Sequence, residues 1–575
     1  MKKHLLFILP LMIMACHPTP EQQVKRVMKN MSTRDKIAQL ITITSDSYNP
    51  PEKRANRDSM VAVEHIGGLI IMQDRLPHSI VRMNELQSMS PIPLIVSIDG
   101  EWGPSMRYGE FPFYPRHMQL GALTDDSLVY KMGLAVAKEC KMLNILINFA
   151  PVVDINVNPN NPVINTRSFG ENKERVTRLA DAYMKGMQDG GIYACAKHFP
   201  GHGDTDVDSH KALPLLPFTR ERLDSLELYP FRKLMDDDVA FVMVGHLNIP
   251  VIDTTVSTLS YKLVTEMLKH EMGYQGIVVT DALNMKGVSD NLSPADVTLA
   301  AYKAGVDMLL MPDDVPEALD KIEAAVNSGE CSMEDLNERV RKILLLKARA
   351  GMFEKGYSAI IDTTHIVEDT ALPEHRALVQ ELCDKSITLV DNPANMLPLK
   401  AGQRIAYIAY NAEFQPMLRK YGEQEGLSGY CPQSGIQPNA TLLYQHLSAQ
   451  IPDIDYIPLS KQAGKKEIMR IARQMAGYDC ILFVCHDPVG RPKDNLIAEE
   501  HLQDIEKIIQ AKPTLLIHYG TPYGMNNMPW LHELGAIIIG YADSEANQTA
   551  TAKILTGEIP AQGILPVSAG GYKAL

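Results

Sequence analysis

Between Lys197 and His210 the chain reads KHFPGHGDTDVDSH, which places three histidines and three aspartates within thirteen residues. Asp208 and His210 stand two apart, so in an extended stretch their side chains share one face. A carboxylate beside an imidazole fixes the ring's tautomer and raises its basicity, which is what a general acid/base needs. An isolated Asp-x-His is commonly just a solvated loop pair; the density of titratable groups favours chemistry here. Other reactive groups each close a short apolar run: Asp99, Asp154, Lys197 with His198, His246, Asp281 and Asp313. Two of these have plainer readings. Asp281 suits the N-cap of a turn through Ala282, Leu283 and Asn284, and His246 reads equally as a satisfied histidine at a core edge.

The runs that carry these groups cover 39–43, 67–72, 94–98, 146–153, 193–197, 240–245, 276–280 and 307–311. Stretches long enough for a helix separate them. Continuously apolar strands alternating with helices imply a parallel sheet covered on both faces. Eight such units over roughly 280 residues predict an N-terminal (β/α)8 barrel of the TIM type, here residues 31–352. Barrels place their chemistry on the rim formed by the carboxyl ends of the strands. The polar residues that end the runs fall on that rim.

Residues 332–350 have helical periodicity and run into Gly351, a natural helix stop. Residues 353–372 lack a clear period and read as a linker. A second α/β pattern follows over 373–575, with a helix over 373–384 and strands over 386–390, 404–408, 480–485, 514–518 and 536–540. This spacing predicts a doubly wound α/β sandwich. Pro200, Gly201 and Gly203 make the 197–210 stretch a loop rather than a continued strand.

Apolar residues make up 45% of the 575 and charged residues 22%, the profile of a globular chain with a full core. The net charge of −13 disfavours a nucleic-acid binder, which needs clustered Lys and Arg. Lys2 and Lys3, the apolar run 5–14 and Cys16 make up the start of the chain. Ten apolar residues cannot cross a hydrocarbon core of ~30 Å, so residues 1–15 read as a secretion signal. Ile13-Met14-Ala15-Cys16 is similar to a bacterial lipobox, which implies lipidation of Cys16 and a tether over 16–30. His17 rather than Asp follows, so the expected location is the outer membrane, facing the periplasm or the cell surface, with the lipid as the sole membrane contact. The other seven cysteines are scattered, without Cys-x-x-Cys spacing, and read as small core residues.

The 197–210 stretch is similar to the signature of bacterial β-N-acetylglucosaminidases of glycoside hydrolase family 3: Lys-His-Phe-Pro-Gly-His-Gly, four residues, then Asp-Ser-His. The resemblance implies His210 as acid/base, Asp208 as its orienting partner, and Lys197 and His198 as ligands of sugar hydroxyls. GIVVTDALNMKGV, from Gly276 to Val288, resembles the family segment whose Asp is the nucleophile, which implies that role for Asp281. IDGEWGPSMR resembles the segment whose Asp holds distal hydroxyls, implying Asp99 with Arg107 nearby. It departs from the family's Asp-x-Glu-Gly-Gly by carrying Trp102, a ring able to narrow the pocket or stack on a sugar. NFAPVVDINVNP followed by NTRSFG implies Arg167 as a further sugar contact. SITLVDNPANMLPL and GILPVSA extend the resemblance to nearly all of the chain after residue 30. The dyad branch carries its acid/base on the barrel, so the second domain is expected to supply no catalytic residue. With the chain stopping at Leu575 and lacking Ser-x-x-Lys and Gly-x-Ser-x-Gly, the serine-hydrolase activity of some relatives is not expected.

The implied activity is retaining hydrolysis of terminal, non-reducing β-linked N-acetylglucosamine, with a small carbohydrate substrate, no nucleic-acid partner and no cofactor or metal. A retaining glycosidase needs a carboxylate to trap the oxocarbenium-like centre. A neutral histidine base repels anions less than a carboxylate does, so a phosphorylase using the same site is a close variant. More distant readings are a β-glucosidase, a metal-dependent hydrolase with His198, His202, Asp204 and His210 as ligands, and a non-catalytic sugar-binding protein.

Overall fold

The computed structural model describes residues 18–45, 51–208, 212–289, 292–412, 441–486 and 497–575. Cys16, His210 and Cys431 lie outside the described residues. Eight strands form the first sheet: β1 (Ile41–Thr44), β2 (Gly68–Ile71), β3 (Ile95–Ile98), β4 (Ile145–Asn148), β5 (Tyr193–Phe199), β6 (Phe241–Val244), β7 (Ile277–Thr280) and β8 (Leu309–Leu310). All neighbours are parallel, in the order β7-β6-β5-β4-β3-β2-β1-β8. Thr280 N donates to Met308 O (3.1 Å) and Met308 N to Val278 O (3.0 Å), joining β7 to the residues before β8 and closing the barrel. Six of the eight are four-residue strands buried along their whole length, which is why they read as apolar runs.

Two outer helices show how the surrounding layer is specified. Asp125 caps α1 (Asp126–Met142) and Asn172 caps α2 (Lys173–Asp189), each accepting an amide of the first turn. Where the two pack, Gly133 and Gly186 let the backbones touch: a methyl on Gly186 would lie 2.2 Å from Tyr130 O. A glycine inside a helix costs about 1 kcal/mol relative to alanine, which this close approach offsets. The helix expected over 332–350 is α3 (Met333–Arg349), capped by Ser332 and followed by Gly351 at φ 74°.

The second sheet comprises β9 (Thr388–Asp391), β10 (Ile405–Tyr410), β11 (Ile454–Leu459), β12 (Cys480–His486), β13 (Thr514–Tyr519) and β14 (Ala536–Ile539). Its order is β11-β10-β12-β13-β14-β9, parallel except for β9, which runs antiparallel to β14. Since β11 and β12 flank β10 on opposite sides, the strand order reverses at β10, as doubly wound sheets do. The helices α4 (Pro373–Ser386) and α5 (Glu545–Thr556) pack against each other beside this sheet. The segment before α4 is tied to the barrel, with Asn84 exchanging two hydrogen bonds with Ile361 and Asn144 donating to Ala359 O. Gln119 on the barrel side donates to Ser386 Oγ (2.9 Å) and Asn547 Oδ1 (2.6 Å), joining barrel to sandwich.

Three strand expectations need correction. The run over 146–153 is not one strand: β4 stops at Asn148, and Pro151 has no N–H with which to continue the ladder. β8 is shorter than 307–311: Met311 leaves the strand at φ 50°, in the left-handed region, and the amides of Asp307 and Met308 both converge on Val278 O instead of forming a regular ladder. β11 has no counterpart among the expected strands; it is a half-exposed edge strand containing Pro458, so it shows no continuous apolar run. The six described cysteines are free thiols, five of them buried. Among the described residues, no helix is long and apolar enough to cross a membrane.

Candidate active site

The carboxyl ends of β3, β5 and β7 bring Asp99, Lys197, His198 and Asp281 to one rim of the barrel. Lys197 is 1% exposed and lies between two carboxylates, 2.5 Å from Asp99 Oδ1 and 2.9 Å from Glu101 Oε1. Arg107 holds Asp99 from the other side, through Oδ2 (2.9 Å) and the backbone carbonyl (2.8 Å). Arg167 grips Glu101 in a bidentate pair, Nε to Oε2 at 3.0 Å and Nη2 to Oε1 at 2.6 Å. A planar guanidinium suits this geometry, and the pair fixes both partners. The ladder of β5 with β6 shifts register between Lys197 and Phe199, so two successive residues, Lys197 and His198, both serve the rim.

Arg167 Nη2 also donates to His198 Nε2 (3.3 Å), which assigns the ring proton to Nδ1, 2.7 Å from Asp154 Oδ2. Asp154 accepts the His202 amide as well (2.7 Å), so a single carboxylate orients the ring of His198 and the turn that follows it. Asp281 is half-buried, its amide on Val244 O and its Oδ1 accepting the Ala282 N–H (2.8 Å).

Electrostatics keep these groups ionised. Burial would push Asp281 up, yet His246 and His198, the Ala282 amide and Lys197 together hold it below the usual carboxylate range. Burial likewise opposes ionisation of Asp99, and Lys197 and Arg107 overcome it. Glu101 lies well below its ordinary value despite burial, because Arg167 and Lys197 flank it. Lys197 is raised: burial lowers it, but Asp99 and Glu101 do more. His117 and His202 are both pushed down to about 4, chiefly by burial.

The loop after β5 is anchored at its base. Gly201, at φ 136°, sits against Glu227, where a Cβ would come within 2.6 Å of the Glu227 side chain, and a Cβ on Gly203 would lie 1.8 Å from Ile155 O. Arg222 ties Asp204 (3.2 Å) to Glu227 (2.9 Å), and Asn161 donates to His202 O (2.9 Å). Asp208 is half-buried, with its carbonyl accepting the Ala212 amide (3.1 Å). The expected partner of Asp208, His210, lies outside the described residues.

Sequence reasoning singled out Asp99, Arg107, Arg167, Lys197, His198 and Asp281, and the fold gathers all six at one rim. It missed Glu101, although Asp99 and Glu101 are two apart and so share a face of an extended stretch. It also left Asp154 without a role. His246 is fully buried, with Nδ1 2.7 Å from Thr258 Oγ1 and Nε2 3.0 Å from Ala282 O, a satisfied ring that also lies near enough to Asp281 to lower its pKa. Trp102 has the Arg116 guanidinium 4.7 Å over its ring and Phe113 6.1 Å away, so protein covers one face of the indole. Of the candidate metal ligands within the described residues, Asp204 pairs with Arg222, His202 Nδ1 lies 2.9 Å from Thr205 Oγ1, and His198 is held between Asp154 and Arg167. Among the described residues no group of three His, Cys, Asp or Glu could hold a metal ion.

Residues 32–346 match the glycosyl hydrolase family 3 N-terminal domain, and 387–572 match the C-terminal domain of the same family. The chain is 30% identical over 569 residues to the "Beta-hexosaminidase A" of Pseudoalteromonas piscicida, covering 90% of this chain and 91% of that one. It is 26% identical to the "Beta-N-acetylglucosaminidase/beta-glucosidase" of Cellulomonas fimi, with 95% of each chain covered. The solved structure of a glycoside hydrolase family 3 β-N-acetylglucosaminidase from Paenibacillus sp. str. FPU-7 is similar at a TM-score of 0.75 and 29% identity, over 95% of this chain and all of that one.

Proposed function

This chain belongs to glycoside hydrolase family 3, and from that membership we propose that it removes terminal, non-reducing β-linked N-acetylglucosamine with retention of configuration. Asp281 attacks the anomeric carbon as its bond to the leaving oxygen breaks, and His210, oriented by Asp208, protonates that oxygen. Neutral His210 then takes a proton from water, whose oxygen displaces Asp281 and frees the sugar. Asp99, Lys197, Arg107, Arg167 and His198 receive the hydroxyls.

The observation that carries the reading is the placement of Asp281 on the same rim as the Asp99–Lys197–Glu101–Arg167 network, at the base of the loop with the family's Asp-Ser-His sequence. Fixed charges spaced for hydroxyls suit a sugar ring, and a carboxylate held ionised suits covalent capture. At the start of the chain, Cys16 carries the lipid that holds the enzyme at the outer membrane, facing the periplasm; radiolabelled palmitate incorporated by the full chain but not by Cys16→Ser tests this.

The activity is tested by incubating the enzyme with p-nitrophenyl β-N-acetylglucosaminide and the matching β-glucoside, with and without phosphate. Preferred release from the acetamido sugar, yielding free sugar in both buffers, is the expected outcome. Activity on the glucoside alone would overturn the substrate, and a sugar 1-phosphate product would overturn hydrolysis.

A further inference from the structure

Among the described residues, no charged group of the second domain pairs with the rim residues named above, but the domain reaches the turn that carries Arg167. That turn, Asn165–Arg167, is a single 3-10 turn in a long connection after β4. Each of its residues is held from a different direction. Arg167 is gripped by Glu101, and its carbonyl lies 2.7 Å from His117 Nδ1. Thr166 Oγ1 accepts from Arg116 (3.2 Å), whose guanidinium rests on Trp102. Asn165 donates its amide to Asn156 Oδ1 (3.1 Å), and its own Oδ1 accepts from Thr521 Oγ1 (3.1 Å). Asn156 in turn donates Nδ2 to the Tyr523 hydroxyl (2.9 Å), which donates back to the Asn156 carbonyl (3.2 Å).

Thr521 and Tyr523 follow β13, in the second domain. Asn156, Asn165, Thr521 and Tyr523 are all at least 95% buried. Asn165 has φ 36°, in the left-handed region, and a non-glycine residue stays there only where its surroundings over-determine it. Its side-chain restraint comes from the second domain, and its amide restraint comes from Asn156, itself fixed by Tyr523.

We propose that Thr521 and Tyr523 are positioning residues for Arg167, through which the second domain sets the barrel's grip on the sugar. The inference rests on the reading that Arg167 meets the substrate. Arg167 binds sugar alike in the ground and transition states, so a misplaced guanidinium raises KM and spares kcat.

The test is the double variant Thr521→Val with Tyr523→Phe, made in the wild type and in Arg167→Ala. Thr521→Val exchanges a hydroxyl for a methyl of similar size and Tyr523→Phe deletes a hydroxyl, so both nearly keep shape while removing the hydrogen-bonding groups. In the wild type, KM for p-nitrophenyl β-N-acetylglucosaminide rises by about tenfold, with kcat within about twofold. In the Arg167→Ala background the same pair changes KM by less than about twofold, since the interaction it supports is gone. Equal effects in both backgrounds, or a loss confined to kcat, would overturn the proposal. Hydrogen exchange needs no substrate: amides of residues 156–170 exchange about tenfold faster in the double variant while those of β5 to β7 do not. Unchanged exchange over 156–170 would also overturn it. A wild type that releases no p-nitrophenol would instead overturn the glycosidase reading, leaving the exchange result to decide the positioning role.

Discussion

Among the described residues, two lysines are buried in the barrel, one at each end. At the carboxyl rim, Lys197 lies between Asp99 and Glu101 and is held in its charged form. At the amino end, Lys347 is fully buried with Gln39 Oε1 as its hydrogen-bond partner (2.6 Å), and burial pushes it down to about 7. The two are equally removed from water, so burial alone does not decide their charge; the neighbouring carboxylates do. The protein assembles a costly network of buried and half-buried ions at one end and accepts a half-neutralised amine at the other. A buried ion pair is weak evidence for stability, so the network at the rim points to recognition.

The largest expected effect belongs to the rim. Asp281→Ala lowers kcat by about four orders of magnitude or more, read with a p-nitrophenyl substrate, while the melting temperature barely moves. Loss below about tenfold would break the contrast between the two ends. Lys197→Met removes the cation shared by half-buried Asp99 and buried Glu101, leaving them to Arg107 and Arg167, and urea unfolding should find it about 3 kcal/mol less stable at pH 7. A neutral effect would mean the rim charges are compensated by solvent.

Lys347→Met sharpens the comparison through pH. The folded pKa of about 7 lies below the unfolded value of about 10.4. The folded state therefore binds fewer protons between those values, and stability is fully present above pH 10.4 and is lost as pH falls through 7. Wild type should gain about 2 kcal/mol over Lys347→Met between pH 7 and pH 9 in denaturant titrations. Identical slopes would show Lys347 charged throughout.

The smallest expected effect lies in the second sheet, whose strand ends hold a different Asp–His pair. His486 Nδ1 lies 3.0 Å from Asp543 Oδ2, with Gln548 on the other oxygen (2.7 Å), and neither is more than 5% exposed. His486→Phe should cost about 1 kcal/mol of stability and leave kcat/KM within about twofold. A larger kinetic loss would draw this pair into the chemistry.

What was legible in the sequence follows from these contrasts. Parallel strands buried on both faces are apolar throughout, so the residues that end them stand out, and Asp99, Lys197 and Asp281 were visible for that reason. The 197–210 loop was visible because its reactive residues are adjacent in sequence. Glu101 was not singled out, because a carboxylate spent on two cations looks like any other until Arg167 is placed beside it. The edge strand β11 was hidden by its half-exposed, proline-bearing pattern. Nothing in the chain could pair Asn156 with Tyr523, 367 residues away. Trp102 was legible as a departure from the family but not as to its place; only the fold brings Arg116 over the ring.

The central claim is that Asp281 carries the covalent bond to the sugar. Incubating the enzyme with an activated, fluorine-substituted N-acetylglucosaminide that forms the glycosyl-enzyme quickly and releases it slowly allows the intermediate to be captured. Mass spectrometry of the peptic digest should then find one added sugar on the peptide containing Asp281. A label on Asp99, Glu101, Asp154 or Asp208, or turnover with inversion and no label, would contradict the account.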